Sequence, residues 1–209
     1  MTARQTEPMV WIVDDDEAMR SSLKWLIESV GMRVETYESA DAFLKQHYPG
    51  RSGCLLLDVR MPGMSGLELQ DYLHEQHMET PTIIITGHGD VPMAVRAMKS
   101  GAIDFIEKPF NDEVLLDAIR RASAFEEQRR DKTAISAELA VRLSHLTPRE
   151  HEVMQRVTEG KSNKEIANNL GVSAKTIEAH RARVMEKMQA GSLAELVRMA
   201  ITAQMAVES

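Results

Sequence analysis

The chain is poor in cysteine, in long apolar runs and in positive charge. Its one cysteine, Cys54, has no partner. A disulfide scaffold is thereby excluded, and a reducing compartment such as the cytoplasm is expected. No apolar stretch approaches the roughly 18 residues that a membrane span needs, so no integral membrane protein is expected. The opening MTARQTEP lacks the apolar core of a signal peptide. Basic residues number 25 against 32 acidic ones, a formal charge of −7, which at first sight argues against nucleic acid as a partner. What remains is an ordinary globular composition, 43% hydrophobic, over 209 residues. That length fits two small domains or one medium one.

Counting charge by segment removes the objection to nucleic acid. Residues 1–121 carry a net charge of −8, whereas residues 143–209 carry +1. Such asymmetry signals two modules with different partners. Between them, Phe125–Ala134 is almost devoid of apolar residues, and its EEQRRDK reads as a solvated run of mixed charge. The expected organisation is a first domain over 1–121, a helical linker over 122–142 and a second domain over 143–209. The linker can prolong the first domain's last helix, although its apolar positions, Ile119, Ala122, Ile135 and Leu139, are interrupted.

The first module alternates apolar runs with amphipathic stretches. Met9–Val13, Arg33–Tyr37, Cys54–Leu57, Thr82–Thr86 and Ile103–Ile106 read as strands, and LLL and TIIIT are continuously apolar, as in parallel strands covered on both faces. Helices are expected over Glu17–Val30, Ala40–Tyr48, Leu67–His74, Val91–Ser100 and Asp112–Arg121. Asp16, Ser39, Ser65 (with Glu68 in a capping box), Asp90 and Asn111 stand at their N-caps. Five strand–helix repeats make an α/β, doubly wound parallel sheet, whose ligand site lies beyond the carboxyl ends of the strands.

Those strand ends carry unusual chemistry. The first ends in Asp14-Asp15-Asp16, the third in Asp58, the fourth in Thr86, and Lys108-Pro109 follows the fifth. Carboxylates brought together repel unless a cation joins them, and a hard, oxygen-seeking ion such as Mg²⁺ fits the set. A metal ion and the lysine would also favour a phosphoryl group on one carboxylate. A buried strand has little reason to finish on an unpaired acid, which singles out Asp58.

Val-Asp-Asp after the first strand, LLLDVRMPGMSG around Asp58, ITGHGD at Thr86 and EKPF at Lys108 resemble the receiver domain of two-component response regulators. The resemblance covers residues 8–121. It implies a flavodoxin-like (βα)₅ fold with strand order 2-1-3-4-5, and phosphoryl transfer from a histidine kinase's phosphohistidine to Asp58. It further implies Mg²⁺ held by Asp14, Asp15, Asp58 and the backbone carbonyl of Arg60, with Thr86 and Lys108 contacting the phosphoryl oxygens. Phe105 stands at the family's aromatic switch position and reads equally as core. Proline makes a cis Lys108–Pro109 bond tolerable. The Met-Pro-Gly and Met-Ser-Gly pieces supply turn residues after Asp58.

Residues 146–204 follow a different pattern. Thr147, Pro148 and Glu150 form a capping box with proline at the first helical position; Ser162 and Glu165 repeat the device before Ile166–Leu170 and Gly171. Ser173 caps a helix through Met188, and Ser192 with Glu195 caps a last one to about Ala203. The middle pair has helix-turn-helix proportions. Ile177, His180 or Arg181, Val184 and Met188 face inward, leaving Lys175, Thr176, Glu178, Ala179, Ala182 and Arg183 outside. That side reads either as an ordinary solvated face or as one that meets DNA. In the second reading the alanines allow close approach, Arg183 reaches phosphate or guanine, and Glu178 accepts from cytosine.

LTPREHEV and NKEIANNLGVSAKTIEAHRARVMEKM resemble the LuxR-type DNA-binding domain of NarL/FixJ response regulators, and are nearest the FixJ branch. The resemblance implies that Ser173–Met188 enters the major groove and that the last helix, around Leu193–Met199, supports dimerisation on DNA. The chain is then a phosphorylation-switched transcription regulator and not an enzyme. Its implied partners are a histidine kinase, double-stranded promoter half-sites, a second copy of itself on phosphorylation, and RNA polymerase.

Three signals read as bland. HEQH at His74–His77 misses the zinc-protease spacing by one residue. Gly87-His88-Gly89 is half of a dinucleotide loop, and the methionines read as core filler. Rival functions are an aspartyl-phosphate phosphatase, which would need an Asp-x-Asp where Val59-Arg60 follows Asp58, an RNA- or protein-binding module, and a DNA binder indifferent to phosphorylation.

Overall fold

The computed structural model describes residues 9–46 and 51–207. The opening octapeptide and the expected end of the second helix at residues 47 and 48 lie outside them. Two compact units divide between Arg129 and Arg130.

In the first unit the elements run β1 (Met9–Val13), α1 (Glu17–Ser29), β2 (Arg33–Tyr37), α2 (Ala40–Gln46), β3 (Gly53–Asp58), α3 (Gly66–Glu75), β4 (Thr82–Thr86), α4 (Val91–Lys99), β5 (Asp104–Glu107) and the start of α5 (Asp112–Ser144). The strands form one parallel sheet in the order β2-β1-β3-β4-β5, the order that the family resemblance implies. Side chains alternate across it. Val10, Ile12, Cys54, Leu56, Ile83 and Ile85 pack with Leu23 and Ile27 of α1 and Leu115 and Ile119 of α5. Trp11, Val13, Leu55, Leu57 and Ile84 pack on the other face with Phe43, Leu69, Leu73 and Ala97 of α2, α3 and α4. Both faces of the sheet are therefore dry, which is why its central strands read as continuously apolar.

The expected caps form. Asp16 accepts from Ala18 N and Met19 N, Ser39 from Ala42 N, Asp90 from Met93 N and Asn111 from Glu113 N, while Ser65 and Glu68 close a capping box. Boundaries shift by a residue or two: β3 includes Asp58 itself, and β5 begins at Asp104 instead of Ile103. The larger difference is α5, which continues without a break past Arg121 to Ser144. Its charged middle has no apolar stripe, yet Ile119 and Ala122 are buried at one end and Leu139 at the other, each in its own unit's core. Ion pairs of the (i, i+3) and (i, i+4) kind, Glu126 with Arg129 and Glu138 with Arg142, support the polar turns.

The second unit holds the end of α5, then α6 (Pro148–Thr158), α7 (Asn163–Leu170), α8 (Ala174–Met188) and α9 (Leu193–Val207), the last running four residues beyond the expected end. Capping boxes at Thr147/Glu150 and Ser162/Glu165 start α6 and α7. Gly171 ends α7 at φ +66, a left-handed conformation that costs glycine nothing. Val153, Val157, Ile166, Ile177, Val184, Met188 and Leu196 form the core.

Candidate functional site

Three of the strand-end residues meet. Asp14 follows β1, Asp58 ends β3, and the two carboxylates are 3% and 8% exposed by residue. Lys108, just past β5, lies between them, its Nζ donating to Asp14 Oδ2 and to Asp58 Oδ1, both at 2.8 Å. The acid that ends β3 is thus paired, by the ammonium expected at the same edge of the sheet. Asp14 Oδ1 accepts Asp16 N at 2.9 Å, and Asp58 Oδ2 accepts Arg60 N at 2.7 Å. The Lys108–Pro109 bond is cis.

The electrostatics follow from burial and charge. Burial pushes the Asp58 carboxyl above the usual carboxylate range; Lys108 opposes this and Asp14 reinforces it. Burial lowers the Lys108 ammonium's pKa, but the two carboxylates more than offset that and leave it raised. The ammonium therefore stays charged, while Asp58 is a better base than an exposed aspartate.

Of the other expected members, Thr86 adjoins this group, its carbonyl accepting Lys108 N at 2.8 Å. Asp15 is exposed, and among the described residues no three acidic, histidine or cysteine side chains converge closely enough to hold a metal ion. Two of the carboxylates, those of Asp14 and Asp58, share one ammonium. The donor set still suits a hard cation: every group is oxygen, and each carboxylate oxygen of Asp14 and Asp58 accepts one hydrogen bond and keeps a lone pair. Thr86 is buried at the end of β4, its Oγ1 accepting His88 N at 3.3 Å. Phe105 is half-buried against the core, so close to Gly89 that a Cβ there would lie 3.0 Å from its ring. The Arg60 side chain is exposed.

Two neighbours were not legible as site residues. Arg20 of α1 donates to the Asp14 carbonyl at 2.7 Å, tying α1 to the acidic strand end. Gly66, expected in the turn, is the first residue of α3, buried against the Asp58 backbone; Gly63, at φ +78, makes the turn. The "Ser-Gly" signal marked the position without revealing its reason.

In the second unit, Lys175, Thr176, Glu178, Ala179, Ala182 and Arg183 are all exposed along α8. The Thr176 hydroxyl is held 2.8 Å from Ser173 Oγ at the cap. Ile177, Val184 and Met188 are buried opposite, and His180 and Arg181 are both half-buried between the two faces. Arg181 donates to Asn163 Oδ1 at 2.6 Å, and Arg149 donates to the Leu170 carbonyl at 2.8 Å, so that α7 is gripped at both ends. Glu150, read as a capping residue only, is 2% exposed and also accepts from Lys187 Nζ at 2.6 Å. No local spacing announces a partner 37 residues away.

Comparison with known proteins joins the two sites. Residues 10–120 match the response regulator receiver domain, and residues 144–200 match the LuxR family of bacterial regulatory proteins. The transcriptional regulatory protein FixJ of Bradyrhizobium diazoefficiens is 47% identical over 96% of this chain and 98% of its own length. The response regulator protein TmoT of Ectopseudomonas mendocina is 45% identical over 92% and 87%. Among solved structures, the response regulator StyR has a TM-score of 0.85 at 44% identity, covering 93% of this chain and 98% of its own. Full-length FixJ from B. japonicum has a TM-score of 0.58 at 45%, covering 96% and 99%. With an acidic strand-end site in one unit, a helix-turn-helix in the other and these relatives along nearly its whole length, the chain belongs to the FixJ/NarL-type two-component response regulators, which join a receiver domain to a LuxR-type DNA-binding domain.

Proposed function

We propose that Asp58 accepts a phosphoryl group from a histidine kinase and that this switches dimerisation and sequence-specific DNA binding. An Asp58 carboxylate oxygen attacks phosphorus, the phosphohistidine N–P bond breaks, and the freed imidazole takes up a proton. One observation carries the reading: a buried carboxylate at the end of the central strand, held by Lys108 beside Asp14. Lys108 neutralises the phosphoryl oxygens, and the Thr86 hydroxyl, which accepts from His88 N, keeps its own proton to donate to them. Phe105 turns inward as Thr86 moves.

Receivers of this family use Mg²⁺ for aspartyl phosphorylation. Here Asp14, Asp15, Asp58 and the Arg60 carbonyl would hold it. The ion would supply charge neutralisation at the phosphoryl oxygens.

The output side is read in the same way. Residues 1–121 act as receiver, 122–142 as helical linker and 143–209 as DNA reader, with Lys175, Thr176, Glu178, Ala179, Ala182 and Arg183 facing the major groove. Val91, Val95 and Met98 give α4 an exposed apolar stripe at 76%, 47% and 49% exposure, which supports the α4–β5–α5 face as the surface that pairs two copies. RNA polymerase is the partner at promoters. No helix among the described residues is long and apolar enough to cross a membrane, and a cytoplasmic site of action agrees with that.

Labelling with radioactive acetyl phosphate tests the acceptor. The wild type takes up label and Asp58→Asn does not; undiminished labelling of that variant places the acceptor elsewhere.

A further inference from the structure

The C-terminal ends of α5 and α8 cap each other. Arg142, in the last turn of α5, donates through Nη1 to the Met188 carbonyl, the last of α8, at 2.9 Å. Lys187, in the last turn of α8, donates through Nζ to the His145 carbonyl just past α5 at 3.1 Å. A helix end leaves carbonyls without intrahelical donors and carries partial negative charge, so each cation meets the terminus that it suits. Two more of the end carbonyls of α8 are already served, Glu186 O by Gln189 N at 3.0 Å and Met185 O by Ala190 N at 2.9 Å. The guanidinium is held in place by Glu138 Oε1 at 2.6 Å, and Leu139 and Leu143 pack into the core on either side of it. From the middle of α8, Arg181 reaches Asn163 of α7.

We propose that Arg142 is a positioning residue for DNA recognition. From the end of α5 it fixes the C-terminus of α8 and so the angle at which Lys175–Arg183 is presented to the groove. The inference rests on reading α8 as the groove helix, but it assigns a role to a side chain outside that face, on an element that no DNA contact requires. Arg142 Nη1 is committed to Met188 O and Nη2 to Glu138, so its action differs from that of a phosphate-contacting arginine.

The experiment uses the full-length chain, its phosphoryl donor, and a duplex enriched from a random-sequence pool by the wild type. Failure of the wild type to enrich any sequence overturns the groove reading itself. With an enriched duplex in hand, Arg142→Ala is expected to weaken binding about tenfold, the scale of one charge-assisted hydrogen bond. Binding to a scrambled duplex and the salt slope stay unchanged. Arg142→Lys, which keeps a donor for Met188 O, recovers most of the loss. Wild-type affinity in folded Arg142→Ala overturns the proposal. A salt slope smaller by about one also overturns it, because Arg142 is then a phosphate contact. So does failure of lysine to rescue, since the loss is then one of packing.

Discussion

Gly66 lies against Asp58 with no room for a side chain: a Cβ on Gly66 would fall 2.1 Å from the Asp58 carbonyl oxygen and 3.0 Å from Leu57 Cγ. The first turn of α3 is thus seated directly on the strand end that holds the candidate phosphoacceptor. Gly66→Ala forces that backbone apart. It should destabilise the receiver by about 2 kcal/mol, within the range for overpacking, and slow acetyl-phosphate labelling. Urea unfolding and labelling rates measured on one preparation check both effects, and an unaltered labelling rate would separate Gly66 from the site.

Lys108 neutralises two buried carboxylates at once. Lys108→Met leaves Asp14 and Asp58 facing each other without that charge, so Asp58 is pushed further up and a divalent cation gains a freer site. Mg²⁺ affinity, followed by calorimetry, should rise several-fold while phosphoryl uptake falls. A parallel fall in both would mean that the lysine mainly holds the fold.

Glu150 is buried, and Lys187, with Thr147 N–H, holds its carboxyl at about 2 against an ordinary 4.5. A depressed acid stabilises the fold fully above 4.5 and loses that contribution as the pH falls toward 2. The wild-type output unit should therefore weaken across that window, and Glu150→Gln should show a shallower dependence. Lys187→Met strands a buried carboxylate and should cost about 3 kcal/mol at neutral pH, measured by chemical unfolding.

Arg183 is exposed on the outer face of α8. If it contacts phosphate, Arg183→Ala should lower the slope of log affinity against log salt by about one and weaken all duplexes alike. If it reads guanine, the loss should concentrate on one position of the half-site, at roughly 1–3 kcal/mol.

Much of this molecule was legible because its signals are local. Caps such as Asp16, Ser65 and Thr147 act within three residues, and the apolar runs of β3 and β4 reflect burial on both faces. Asp14, Asp58, Thr86 and Lys108 could be assembled because parallel-sheet topology brings strand ends to one edge. The unread features are those that depend on distance through space. Gly66 matters because of a backbone that packs on it, Glu150 because of Lys187, and Arg142 because of a carbonyl on another helix. The continuity of α5 was half visible: its buried ends carry apolar residues, but its solvated middle could not distinguish a helix from a loop by pattern alone.

The most direct test measures affinity for the enriched duplex with and without phosphoryl donor, in the wild type and in Asp58→Asn. The prediction is a rise of at least tenfold on phosphorylation of the wild type, within the usual range of coupling between sites, and no change in the variant. An equal rise in Asp58→Asn, or unchanged affinity in wild type shown to carry the phosphoryl group, would contradict a switch centred on Asp58.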